Sequence, residues 1–329
     1  MAHACALLAA VGLYIFATLS VHAQDKRPAG AEDYPSKPIR LIIASPPGGG
    51  IDIIGRLVAQ KLTESWSQTV IPDNRPGGAN TLGTALVAKA PPDGYTLLVQ
   101  SLGIAYAGEL RKLPFDAARD LVPIVPVATQ PSMLGVYASV PAKSVREFLQ
   151  LARSKPGQLT YGSAGPGGAS HMATELLSSM AGIKLVTVQY KGIGPAMTGI
   201  LSGEVDLGVL GISTMLPHVK NAKIRALGVT GAKRSTLAPD VPTIAEAGVP
   251  RYEFEAWYAL FAPTKTPHAV IVKINHEVNR ALQQSDTRQR LAGIGMDPLG
   301  GSEEAFSKYF QLEVAKWAKV IRDAKISGE

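Results

Sequence analysis

The residues best suited to chemistry sit in two glycine-rich stretches. One is Pro46, Pro47, Gly48, Gly49 and Gly50, with Asp52 close behind; the other runs from Ser163 through Ala164, Gly165, Gly167 and Gly168 to Ser170, with His171 next. Each follows a short apolar run and precedes helical periodicity, so each reads as a loop that opens a helix. A helix N-terminus offers unpaired N–H donors and a partial positive charge, and glycine lets the backbone approach closely. That is chemistry for holding an anion. Taken alone, either loop also reads as a tight turn and nothing more. His171 fits two roles, a base or ligand contact and a side chain that fixes its loop. Asp52 either shapes the first loop or touches the ligand, and the shaping role is favoured because a bare carboxylate repels an anion. Asp206 reads as a ligand contact or a strand-entry residue.

Catalytic patterns are missing. Gly162, Ser163, Ala164 and Gly165 lack the spacing of a Gly-x-Ser-x-Gly elbow. Neither a phosphate-binding Gly-x-x-x-x-Gly-Lys loop nor His-Glu-x-x-His occurs, and the 6 histidines are scattered. The competing class is a dinucleotide-dependent enzyme, since the first loop has an acid, Asp73, about 20 residues on. That fingerprint fails where Ile53 stands for its third glycine, and Asp52 puts negative charge where a pyrophosphate would sit. No catalytic residue, cofactor or metal is therefore expected.

Residues 39–44 form a β-branched run bounded by Pro38 and Pro46, a buried strand. Ile54, Leu57, Val58 and Leu62 then fall on one face of a helix over 51–66. Strand 69–71, loop 74–80, helix 82–90 and strand 95–100 repeat the unit. A second set begins near Met133, with strands over 134–137, 160–162, 186–189, 206–210 and 224–230 and helices over 144–153, 171–180 and 195–201. Such alternation predicts a largely parallel sheet with helices on both faces, and ligands at the carboxyl ends of its strands. Residues 232–250 read as a connector. Two helical stripes close the chain: Ile271, Ile274, Val278 and Leu282, then Phe306, Phe310, Val314, Trp317 and Ile321.

The 329 residues exceed one usual domain, and 46% hydrophobic with 18% charged residues suits a globule with a sizeable core. Residues 5–19 are apolar, too short for a bilayer span and right for a signal peptide, with cleavage expected after Ala23. Removing residues 1–23 removes Cys5, the only cysteine, and keeps the net charge of +7. A basic surface attracts anionic solutes or serves solubility. No dense Lys/Arg run with interleaved aromatics appears, so nucleic acid is not an expected partner.

Together these residues resemble the Bug-type (Bordetella uptake gene) substrate-binding proteins of tripartite tricarboxylate transporters. The similar stretches are Tyr34 to Arg40, Pro46 to Asp52, Asn74 to Gly77, Ala90 to Leu97, Leu159 to Gly165 with His171, Tyr190 to Gly192, Pro239 to Thr243, Glu246 to Gly248, and Trp257. The resemblance implies a two-lobed α/β periplasmic-binding-protein fold, type II-like, with mostly parallel sheets and two hinge crossovers. Lobe 1 would be residues 34–130 plus 232–329, and lobe 2 residues 131–231. It implies an exported, periplasmic, monomeric receptor that binds a small carboxylate and hands it to membrane permease subunits. A sensor for a membrane two-component kinase is the alternative. The resemblance implies a site made by Pro47, Gly48, Gly49 and Asp52 with Ser163, Ala164, Gly165, Gly167 and Gly168, and Gly78, Ser101, His171 and Asp206 complete the expected ligand-binding set. Gly168 stands where the family commonly has Ser or Thr, and Gly78-Ala-Asn-Thr81 where it has Ala-Gly-Gly-Asn.

Overall fold

The computed structural model describes residues 33–324 and 326, so the expected leader lies outside the described residues. The described residues from Pro35 onward cluster as one compact unit. Strand β1 (Ile39–Ile43) leads through a glycine loop into helix α1 (Gly50–Trp66), then β2 (Val70–Asn74), α2 (Thr81–Ala88) and β3 (Thr96–Ser101). β1 pairs in parallel with both β2 and β3, which sets the loops before α1 and α2 side by side at one edge. A 3-10 turn (Leu102–Ala105) and two short helices, α3 (Ala107–Leu110) and α4 (Ala117–Asp120), follow.

Next comes β4 (Leu121–Tyr137), a strand of 17 residues. A second alternating series runs α5 (Val145–Ser154), β5 (Thr160–Ser163), α6 (Ala169–Ala181), β6 (Val186–Gln189), α7 (Ile193–Ser202), β7 (Leu207–Gly211), α8 (Ile212–Lys220) and β8 (Ile224–Val229). The chain returns through β9 (Glu255–Pro263) and ends with α9 (His268–Gln283), α10 (Ser285–Gly293), β10 (Asp297–Pro298) and α11 (Glu303–Ala324). The strand order is β2-β1-β3-β9-β4-β7-β5-β6, with β8 and β10 also on β4. The alternating units pair in parallel, as their crossover helices require, whereas β4 and β9 run antiparallel to their neighbours. Residues 121–131 of β4 pair with β9, and residues 132–137 pair with β7 and β8. One strand thus belongs to two sheets. Its register against β9 shifts near Pro123 and Pro126, because proline brings no N–H to the ladder.

Both helical stripes are used as the periodicity predicts. Ile271, Ile274, Val278 and Leu282 of α9 are buried, and so are Phe306, Phe310, Trp317 and Ile321 of α11, with Val314 partly buried. The α11 stripe meets β9 in an aromatic cluster: Trp257 stands edge-on to Phe306 at 5.7 Å, and Phe261 to Phe310 at 5.4 Å. Burying each phenylalanine contributes about 1.5–3 kcal/mol. This cluster fixes β9, and β9 carries one wall of the site.

Candidate ligand-binding site

Three helix starts open onto one cleft of about 340 Å³. Gly49 to Ile51 come from the start of α1, Asn80 and Thr81 from α2, and Gly167 to Ala169 from α6. Ser101, Arg111 and Tyr258 are further wall residues, and among the described residues no Asp or Glu lines the cleft. The N-cap residues of the three helices, Gly49, Asn80 and Gly168, make no side-chain capping hydrogen bond. First-turn N–H groups lack intrahelical acceptors, so the α1 and α6 starts aim donors and partial positive charge at the shared space, whereas at α2 the Thr81 and Leu82 N–H groups donate to the Gly78 and Gly77 carbonyls, each at 3.3 Å.

The first loop is held by a charged knot. Asp52 accepts from the Gly48 N–H at 2.9 Å, from Arg56 Nε at 2.9 Å and from Asn74 Nδ2 at 2.9 Å. Asn74 Nδ2 also donates to the Ser45 carbonyl at 3.0 Å, tying the end of β2 to the loop. Burial pushes the Asp52 carboxyl up, but the bonds from Arg56, Gly48 and Asn74 outweigh it and hold the group below its ordinary value. Gly48 has φ +89°, a left-handed turn that a side chain would strain, and a Cβ on Gly50 would collide with the Tyr258 hydroxyl. That hydroxyl donates to Gln130 Oε1 at 3.2 Å, and burial pushes the phenol up to about 12, so it stays a donor.

The second loop is held by neutral groups. The Gly167 N–H donates to His171 Nδ1 at 3.0 Å, and the Ala164 N–H donates to Ser170 Oγ at 2.9 Å. Ser163 Oγ donates to the Gly165 carbonyl at 3.2 Å. Because Nδ1 accepts, the proton of the neutral ring is on Nε2. Burial holds His171 below its ordinary value, with Glu175 opposing. Between these loops, Gln100 Nε2 donates to the Asn80 carbonyl at 3.1 Å and to Thr84 Oγ1 at 2.9 Å, bracing the start of α2.

Of the residues expected at the site, Gly49, Ser101, Gly167 and Gly168 line the cleft. Pro47, Gly48, Asp52, Gly78, Ser163, Ala164, Gly165 and His171 lie in or beside the loops that shape it, off its wall. Asp206 is elsewhere: its Oδ2 accepts from the Thr160 N–H at 2.7 Å and Thr160 Oγ1 at 3.0 Å, joining the first residues of β5 and β7. Those are the amino ends of parallel strands, whereas the loops lie at carboxyl ends. Arg111, Gln100, Asn80 and Tyr258 are wall residues that the sequence reading misses. Gln100, a polar residue ending an apolar strand, carried a usable signal; Tyr258 lies in a strand the reading does not contain. Among the described residues, no group of His, Cys, Asp and Glu could hold a metal ion, and no helix is long and apolar enough to cross a membrane.

An α/β fold whose helix starts converge on a cleft without acids defines a solute-binding protein. Residues 54–326 match the model of the tripartite tricarboxylate transporter family receptor, and the chain belongs to that family. It is 32% identical to Protein BugT of Bordetella pertussis over 320 residues, covering 96% of this chain and 97% of BugT. An R. palustris protein solved with adipate superposes with a TM-score of 0.77 at 35% identity, covering 90% of this chain and 99% of that one. MatC of Rhodopseudomonas palustris, solved with malate bound, gives 0.73 at 30% identity over 88% of this chain and 100% of its own.

Proposed function

We propose that this receptor captures a small carboxylate in the cleft and delivers it to the permease subunits of a tripartite tricarboxylate-type transporter. The observation that carries the reading is the convergence of three helix starts, none with a side-chain cap, on a cleft that no Asp or Glu lines among the described residues. Adipate and malate in similar proteins support it. The α1 and α6 starts grip one carboxylate from opposite sides, directly or through an ordered water. Residues 34–130 plus 232–329 act as one lobe and 131–231 as the other, closing about β4 and the connector before β9. The protein works as a periplasmic monomer after loss of residues 1–23 and releases its ligand unchanged.

The test is a thermal-shift screen of exported protein against mono-, di- and tricarboxylates, amino acids and aromatic acids. A ligand at 100 times its dissociation constant adds about 2.7 kcal/mol of stability. A shift confined to carboxylates is expected. A shift from uncharged solutes alone would overturn the reading, as would turnover of the bound molecule.

A further inference from the structure

Arg111 is the only charged side chain on the cleft wall among the described residues. It follows α3, outside all three helix starts and outside every stretch that carries the family resemblance. Its guanidinium is poorly satisfied. Nε is buried with no hydrogen-bond partner, and Nη1 reaches only the Gly78 carbonyl, at 3.5 Å. No carboxylate pairs with it among the described residues, whereas Arg40, Arg56 and Arg119 each hold an aspartate at 2.6–2.9 Å. A guanidinium has five donors in a planar fork suited to an acidic group, and leaving them unmet in a half-buried site costs stability.

Its neighbours show what could meet them. A Cβ built on Gly167 would lie 2.7 Å from Leu110 Cδ1 and 3.7 Å from Arg111 Nη2, so glycine there lets Arg111 reach the α6 loop. Arg111 thus stands between the loop before α2 and the loop before α6. Leu102, Ile104, Leu110 and Phe115 line the same cleft and suit a hydrocarbon chain. The α1 and α6 starts already supply neutral donors for one carboxylate. A full cation on a separate element is left over.

We infer that Arg111 is a specificity-determining residue that pairs with a second acidic group on the ligand, making the site selective for a dianion with an apolar middle. The inference rests on the carboxylate reading above. Its test is calorimetric titration of exported wild-type protein, R111Q and R111K with straight-chain diacids from succinate to adipate, each beside its monoacid from butyrate to hexanoate. Wild-type protein prefers the diacid. R111Q loses diacid affinity by about 10–100-fold, the worth of a hydrogen bond to a charged group, while its monoacid affinity moves by less than about threefold. R111K keeps part of the preference, because it retains the charge without the fork. An unchanged diacid-to-monoacid ratio in R111Q would overturn the role of Arg111 and leave the carboxylate site standing, as would equal loss for both acids. If wild-type protein binds none of these acids, a straight-chain dianion is not the ligand and this inference fails, while the wider screen above decides the carboxylate reading. Should R111Q not fold, the ratio in R111K decides: a preference equal to that of wild-type protein overturns the inference.

Discussion

The two glycine loops face the same cleft and are held in opposite ways. The loop before α1 is braced by an ionised carboxylate, with Asp52 tied to Gly48, Arg56 and Asn74. The loop before α6 is braced by a neutral imidazole and two hydroxyls, from His171, Ser170 and Ser163. A helix start that must attract an anion gains nothing from a nearby negative charge unless that charge is spent. Asp52 is spent on Arg56 and on loop donors, and it does not line the cleft. The second loop avoids the problem by using no charge, and so responds to mild acid, whereas the first responds only below the ordinary carboxylate value.

The largest effect should come from Gly49→Asp. A Cβ there meets nothing nearer than the Pro46 carbonyl at 4.0 Å, so the variant folds. It places an uncompensated carboxylate at the α1 start, where like-charge juxtaposition costs several kcal/mol, and carboxylate affinity should fall by at least about 100-fold. Titration of the folded variant checks this, and unchanged affinity would remove α1 from the site.

Asp52→Asn should come next. It keeps the shape and removes the charge, and with Arg56 half-exposed the expected loss is about 1–2 kcal/mol at neutral pH. The Asp52 pKa is depressed in the folded state, so its contribution is complete above the ordinary value of 3.8 and is lost as pH falls through the folded value. Denaturant melts of both proteins should therefore converge under acid.

His171 should give a smaller effect in a different window. Its folded pKa lies below the ordinary 6.5, so folding favours the neutral ring. Its contribution is complete above 6.5 and is lost as pH falls from 6.5 toward the folded value. Hydrogen exchange at pH 7 and pH 5 should show the loop over 163–168 losing protection while the loop over 46–50 keeps it. His171→Gln, which retains an acceptor for Gly167, should abolish that pH response. The smallest effect is Gly168→Ser. At an N-cap a serine gains only about a few tenths of a kcal/mol over glycine, and the new Cβ would sit 3.1 Å from the Gly165 carbonyl, so net stability should move by less than about 1 kcal/mol. Thermal melts check it.

Much of this was legible in the sequence because it is local. Ile54, Leu57, Val58 and Leu62 predict the buried face of α1, and all four are buried. The stripe from Phe306 to Ile321 likewise predicts α11. What was hidden depends on distant pairing. Pro123, Pro126 and Pro131 argue against a strand, yet β4 runs through all three because bulges absorb the first two. β9 has no alternation to find, since residues 256–263 are all buried between β3 and β4. Asp206 shows the reverse error: a carboxylate at a strand end resembles a ligand contact until the sheet places it at the amino edge. Arg111 had no signal, because neither its burial nor its lack of a partner is a property of its neighbours in sequence.

The most direct measurement is a crystal structure of exported protein with a bound carboxylate. One carboxylate group should lie within about 2.7–3.2 Å of first-turn N–H groups of both α1 and α6, or one water away from them. A ligand carboxylate touching one of these helix starts and not the other, or lying outside this cleft, would contradict the account.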